Sequence, residues 1–232
     1  MAHQVRYLIY LGALLLIAPF ALAQRPGQIS IRFTVFSARP IEGLAYVSTT
    51  GAKLPLKFIP TARSTRHTYN GASPLKFVDT STGTVVAEAT VPPDLREPLL
   101  LFTPLPADSP RGLRYQISVV DDSAAKLGAS HFAILNLSGL KFTGTLDQTE
   151  VNVDEGLNAP VPVTRQAKLT LFTAARGARV QSYSDVIKLP KSSRLLLIFF
   201  PPARPGALEV QSRALVDEPH KAPPLPAGTV NK

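Results

Sequence analysis

The chain has 232 residues, with 25 Lys plus Arg against 16 Asp plus Glu, no Cys, no Trp, one Met, 22 Pro and 14 Gly. The lack of cysteine excludes a disulfide framework, a thiolate metal site, a thiol nucleophile and a lipidated cysteine. An apolar share of 45% can build a sizeable core, and the length admits one large domain or two small ones.

The N-terminus carries the marks of an export signal. Arg6 supplies a positive end, Tyr7 to Phe20 is a near-continuous apolar run, and Ala21-Leu22-Ala23 precedes Gln24. Small residues at the first and third of those positions are what signal peptidase accepts, and Pro19 ends the apolar helix just before the cut. Residues 1–23 are therefore expected to be a signal peptide helix, and the mature chain to begin at Gln24. Cleavage removes only Arg6 from the charge and leaves a net +8. No later segment is apolar for long enough to span a membrane, so the mature chain is expected to have no transmembrane span. The expected location is the periplasm, the outer surface or the extracellular space.

The mature chain reads as strands and turns. Ile29 to Phe36 alternates apolar and polar residues, as does a strand with one buried face. Leu54 to Ile59 follows, with Pro55 pointing to a sheet edge. Tyr69-Asn70-Gly71 reads as a turn. Leu75–Val78 and Thr84–Ala89 flank Asp79-Thr80-Ser81-Thr82-Gly83 as a hairpin would. Leu99-Leu100-Leu101-Phe102 is a continuous apolar run, the pattern of a strand covered on both faces, and Tyr115 to Val120 alternates again. Ser123 to Leu127 has room for one helical turn.

The second half echoes the first. Leu99–Pro104 matches Leu196–Pro201, Val119-Val120-Asp121-Asp122 matches Leu215-Val216-Asp217-Glu218, Val91-Pro92 matches Leu189-Pro190, Leu75–Phe77 matches Leu169–Leu171, and Phe33–Phe36 matches Phe132–Leu135. Such collinear echoes predict an internal duplication. The fold class expected is all-β: two tandem β-sandwich repeats, immunoglobulin-like or transthyretin-like, over residues 28–123 and 130–219. Residues 220–232, rich in proline, read as a disordered tail.

The second unit opens on a strand ending in Asn136-Leu137-Ser138, and the first closes on a strand ending in Asp121-Asp122. In both features the chain resembles secreted bacterial tandem β-sandwich repeat proteins of unknown function. The resemblance spans most of residues 29–218 and implies an exported, all-β envelope protein with no assigned activity. The first unit departs from it, with Ser37-Ala38 where the second has Asn136-Leu137-Ser138.

Residues that carry chemistry are sparse. His67, His131 and His220 lie far apart, and no pair has metal-ligand spacing, so neither a metal nor a cofactor is expected. No Gly-x-Ser-x-Gly elbow, phosphate loop or His-Glu-x-x-His helix occurs, and no enzyme is expected. The acidic pairs Asp121-Asp122 and Asp217-Glu218 read as turn-forming and solubilising groups with a shared structural job. The basic residues are dispersed, and Arg63, Arg66 and His67 form the densest group and the candidate anion-binding site. For an exported chain the corresponding partners are anionic envelope polymers or lipid headgroups rather than nucleic acid. The function expected is a non-catalytic envelope or surface protein with a structural or binding role. A carbohydrate- or anionic-polymer-binding module is the first alternative, marked by a row of exposed tyrosines. A hydrolase built from scattered Asp, His and Ser is the second.

Overall fold

The computed structural model describes residues 27–218 apart from Arg176; the expected signal peptide and the expected Pro-rich tail lie outside the described residues. Within them the chain is all-β. The strands of the first half are β1 (Gln28–Phe36), β2 (Leu44–Val47), β3 (Lys53–Pro55), β4 (His67–Ala72), β5 (Leu75–Asp79), β6 (Val85–Ala89), β7 (Pro98–Pro104) and β8 (Tyr115–Asp121). Those of the second are β9 (His131–Asn136), β10 (Phe142–Leu146), β11 (Thr149–Val153), β12 (Gly156–Leu157), β13 (Val161–Pro162), β14 (Gln166–Ala175), β15 (Ala178–Lys188), β16 (Arg194–Phe200) and β17 (Gln211–Asp217).

Four sheets result. The first half forms β4-β1-β7-β8 and β3-β2-β5-β6; the second forms β12-β9-β16-β17, with β13 also on β9, and β11-β10-β14-β15. Pairing is antiparallel except between β1 and β7 and between β9 and β16, which run parallel.

Burial follows pairing. Along β1, burial alternates up to Phe33 while the strand pairs with β4, and becomes continuous from Thr34 to Phe36, where it pairs with β7. The change marks where the strand passes between two cores. Ile29, Ile31, Phe33, Leu100 and Phe102 face a core shared with β2, β5 and β6, where Phe102 stands edge-on to Phe77 at 5.0 Å and to Phe58 at 5.1 Å. Phe132, Ile134, Leu195, Leu197 and Phe199 face a second core, shared with β10, β14 and β15.

The third core joins the halves. Leu99 and Leu101 of β7 point away from Leu100 and Phe102, and Leu196 and Ile198 of β16 point away from Leu195, Leu197 and Phe199. They meet Phe36, Val120, Leu127, Leu135 and Leu215 in one buried cluster. Sheets β4-β1-β7-β8 and β12-β9-β16-β17 thus carry apolar side chains on both faces, which is why their central strands read as unbroken apolar runs. We call this layer the seam.

Local chemistry fixes the connections. Asp79 ends β5 and accepts hydrogen bonds from the backbone of Ser81 at 2.8 Å and Thr82 at 3.1 Å. Gly83 completes the β5–β6 loop with φ of +74°, a conformation that costs glycine least. The Ser81 hydroxyl, then the Thr82 and Ser81 N–H groups and Arg114, hold the Asp79 carboxyl well below the usual carboxylate range.

Two local expectations are corrected. Tyr69-Asn70-Gly71 is not a turn: it lies inside β4, paired with Ile29 to Ile31 of β1, and the chain bends later, at Ser73-Pro74. Glycine is needed at position 71 for space, because a Cβ there would sit 2.6 Å from both the Tyr69 hydroxyl and Thr49 Cγ2. Of Leu54 to Ile59, only Leu54 and Pro55 belong to a strand, the edge strand β3; Leu56 and Phe58 fold down into the first core.

Candidate functional site

The two ends of the seam differ in chemistry. β7 and β16 each run seven residues along it, so its ends lie about 20 Å apart at ~3.3 Å per residue. One end, where β16 starts and β8 and β17 finish, gathers charges. The other, where β7 and β16 finish, opens into a cleft.

At the charged end, Arg63 donates from Nε to Asp122 Oδ2 at 2.7 Å and from Nη2 to Oδ1 at 2.8 Å, a two-pronged pair. Its Nη1 reaches the Leu215 carbonyl at 3.1 Å and Asp217 Oδ1 at 3.0 Å. Arg194 makes five bonds with its five N–H groups. Nε and Nη2 go to Asp217 at 2.9 and 3.2 Å, Nη2 also to Asp122 Oδ2 at 3.1 Å, and Nη1 to the carbonyls of Asp122 at 2.7 Å and Leu127 at 3.2 Å. Side-chain exposure is 5% for Arg63, 1% for Arg194 and 3% for Asp122, against 32% for Asp217. Two cations and two anions thus neutralise one another in a largely water-free place. Burial pulls the Arg194 pKa down, but the Asp217 hydrogen bond and the fields of Asp122, Asp217 and Glu97 outweigh it and raise it.

This arrangement changes the meaning of several residues. Asp122 is no solubilising turn residue; it is the buried counter-ion of two arginines from different halves of the chain. Arg63 and Arg66 line one shallow pocket together with Asp217 and Glu218, and His67 is not among its lining residues. The Arg63 guanidinium is taken up by internal carboxylates, and Arg66 lies 3.6 Å from Glu97, which also binds Arg32. His67 turns inward, with its ring centroid 5.4 Å from that of Phe33 and 5.7 Å from that of Tyr46, and burial lowers its pKa. Arg194 escaped the sequence reading. Its signal was an arginine immediately before six apolar residues of a strand covered on both faces, where a charge must be paired.

Asn136 is fully buried. Its amide donates to the carbonyls of Leu140 at 2.7 Å and Asp154 at 3.2 Å, while its Oδ1 accepts from Ser138 N and Oγ. Asn136-Leu137-Ser138 is an internal turn clamp. Tyr46 and Tyr69 are buried, while Tyr115 and Tyr183 are half-buried, so among the described residues no row of exposed tyrosines forms. Tyr183 packs 4.8 Å from Phe199, and burial, then the charge of Asp185, pushes its pKa up to about 12. His131 holds the Ala129 carbonyl through Nδ1 at 2.8 Å. Among the described residues, no group of three or more His, Asp or Glu is placed to hold a metal ion. Nor is any helix there long and apolar enough to cross a membrane.

At the other end of the seam lies a cleft of about 370 Å³ lined from both halves. Arg39 comes from the segment after β1, Thr103 and Pro104 from the end of β7, Phe200 to Pro202 from the end of β16, and Gln211 and Arg213 from β17. No carboxylate lines it. Arg39 and Arg213 are exposed and take part in none of the ion pairs formed among the described residues. The Arg213 Nη1 donates to the Ser212 carbonyl at 2.8 Å.

No protein-family model matches the chain, and a search of curated proteins finds no match.

Proposed function

We propose that the chain is an exported, non-catalytic envelope or surface protein, built of two tandem β-sandwich repeats of the immunoglobulin-like or transthyretin-like kind, with a structural or binding role. The repeated connectivity carries this reading. β4-β1-β7-β8 corresponds to β12-β9-β16-β17, and β3-β2-β5-β6 to β11-β10-β14-β15, each strand having the same partners and the same sense. The parallel pairs coincide in register: Val35 faces Leu100 in one half, and Ile134 faces Leu197 in the other. Counted through that register Val120 corresponds to Leu215, so Asp122 takes the place of Asp217, one residue out of step with the sequence match of Asp121 to Asp217.

A non-catalytic role is supported by the state of the buried charges. The deepest ion pairs, of Arg63, Asp122 and Arg194, saturate one another. Export is supported by the apolar run and the Ala21-Leu22-Ala23 motif. A tagged chain, expressed in a bacterial host and fractionated, tests it by intact mass. The expected product starts at Gln24 and lies outside the cytoplasm; a cytosolic product retaining residues 1–23 would reject export.

A second reading, binding of an anionic carbohydrate or polymer, is favoured by one observation: the cleft at the open end of the seam presents two arginines and no acid.

A further inference from the structure

We propose that this cleft is a binding site for a carboxylated sugar, such as a uronic acid residue of an acidic polysaccharide. The inference rests on the binding reading above and names its site and ligand class.

Charge is the first argument. Arg32, Arg63, Arg66, Arg111, Arg114 and Arg194 all have carboxylate partners within the chain. Arg39 and Arg213 are held on the walls of one cleft with no acid among its lining residues. A planar guanidinium fork matches a carboxylate in two-pronged fashion, and an external anion supplies the counter-charge that the chain does not.

Shape and lining are the second. A volume of about 370 Å³ falls in the range of small-molecule sites. Pro104, Pro201, Pro202 and Phe200 give apolar surfaces that suit the C–H face of a pyranose. Thr103 offers a hydroxyl to ring hydroxyls, and Gln211, whose Nε2 donates to the Pro201 carbonyl at 3.2 Å, offers its amide oxygen. A lipid chain would offer those polar groups no hydroxyl and both arginines no counter-charge. An inorganic anion would use the arginines and leave the apolar surfaces uncovered.

Rigidity is the third. The walls come from the ends of β7 and β16, whose other ends are tied together by the Arg63–Asp122–Arg194–Asp217 cluster and whose lengths are packed through the seam. The spacing of the two walls is thereby set before any ligand arrives, which lowers the ordering cost of binding.

The test uses the mature chain, titrated calorimetrically with trigalacturonate, with an uncharged glucan trimer and with vesicles containing anionic phosphatidylglycerol. Saturable binding of trigalacturonate is expected, weakening at least fivefold between low and about 0.3 M salt because the arginines are exposed. Arg39→Ala with Arg213→Ala should weaken it at least tenfold with an unchanged melting temperature, and a Lys168→Ala, Lys188→Ala control should stay within twofold. Equal affinity for the neutral trimer, full binding by the double arginine variant, or binding to vesicles but not to trigalacturonate would each overturn the proposal. If trigalacturonate binds wild type and double variant alike, the site fails while the anionic-polymer reading survives. If nothing anionic binds, both fall, and the intact-mass result on export stands apart from either.

Discussion

Arg194 and Asp122, seventy-two residues apart in the chain, meet at 3.1 Å with side chains 1% and 3% exposed. The contact ties the start of β16 in one half to the end of β8 in the other. Its worth depends on what is removed. Replacing Asp122 by Ala leaves two arginines facing each other without their inner counter-ion, and breaking a buried ion pair in this way costs about 3–5 kcal/mol. Urea unfolding should show Asp122→Ala as more destabilised than Asp217→Ala, since the Asp217 side chain is 32% exposed and water can replace it. Similar losses for the two would mean that the cluster is wetter than its geometry indicates.

A second prediction separates the cores. Leu100 and Leu197 occupy different hydrophobic cores and are 0% and 2% exposed, so truncation of either to Ala should cost about 2–5 kcal/mol. Leu101, also 0% exposed, lies in the seam. Leu101→Ala should cost as much as Leu100→Ala and should destabilise both halves together in a single cooperative transition. Two separated transitions in that variant would show that the halves fold independently.

Glycines give a third. A Cβ on Gly144 would lie 2.0 Å from the Thr170 carbonyl oxygen, a backbone atom of the paired strand β14. On Gly71 the nearest atoms belong to side chains at 2.6 Å. Backbone cannot yield as a side chain can, so Gly144→Ala should lower the melting temperature more than Gly71→Ala, and overpacking of this kind costs about 1–3 kcal/mol or more. The reverse order in a thermal melt would reject the argument.

His67 sets a fourth, in pH. Its ring is packed against Phe33 and Tyr46, and burial places its folded pKa below the ordinary 6.5. The unfolded chain therefore binds the proton more readily. This group leaves stability untouched above about pH 6.5 and subtracts from it as pH falls through that value toward the folded pKa. Between about pH 7.5 and pH 5.5 the wild-type urea midpoint should drop more than that of His67→Gln. Parallel curves would show that another group controls the acid limb.

Much of the fold was legible because strand burial has period two. Ile29 to Phe33 alternates and is half-covered; Leu99–Phe102 and Leu196–Phe199 do not alternate and are covered on both faces. The β5–β6 hairpin was readable from its Asp-to-Gly loop. Gly71 misled, since the same residue type serves turns through positive φ and strands through lack of volume, and composition does not distinguish them. Little of the site was legible. Arg63 stood out through its sequence neighbours Arg66 and His67, but its partners, Asp122 and Asp217, are 59 and 154 residues away. Arg39 and Arg213 are separated by most of the chain and become neighbours only through the seam. Side-chain pairing over such distances leaves no trace in local pattern.

The seam also has a consequence for how the molecule assembles. Leu99 and Leu101 of β7 meet Leu196 and Ile198 of β16 in one apolar layer, as two subunits meet across the interface of a dimer. The short stretch of chain from Ser123 to Ser130 joins the two partners. Association that would otherwise depend on protein concentration becomes intramolecular, at an effective concentration of about millimolar or more for so short a linker. The contact between the halves then persists at any dilution, and the two halves need not present the same side chains to it. One half supplies Arg63 and Arg39, and the other Arg194 and Arg213.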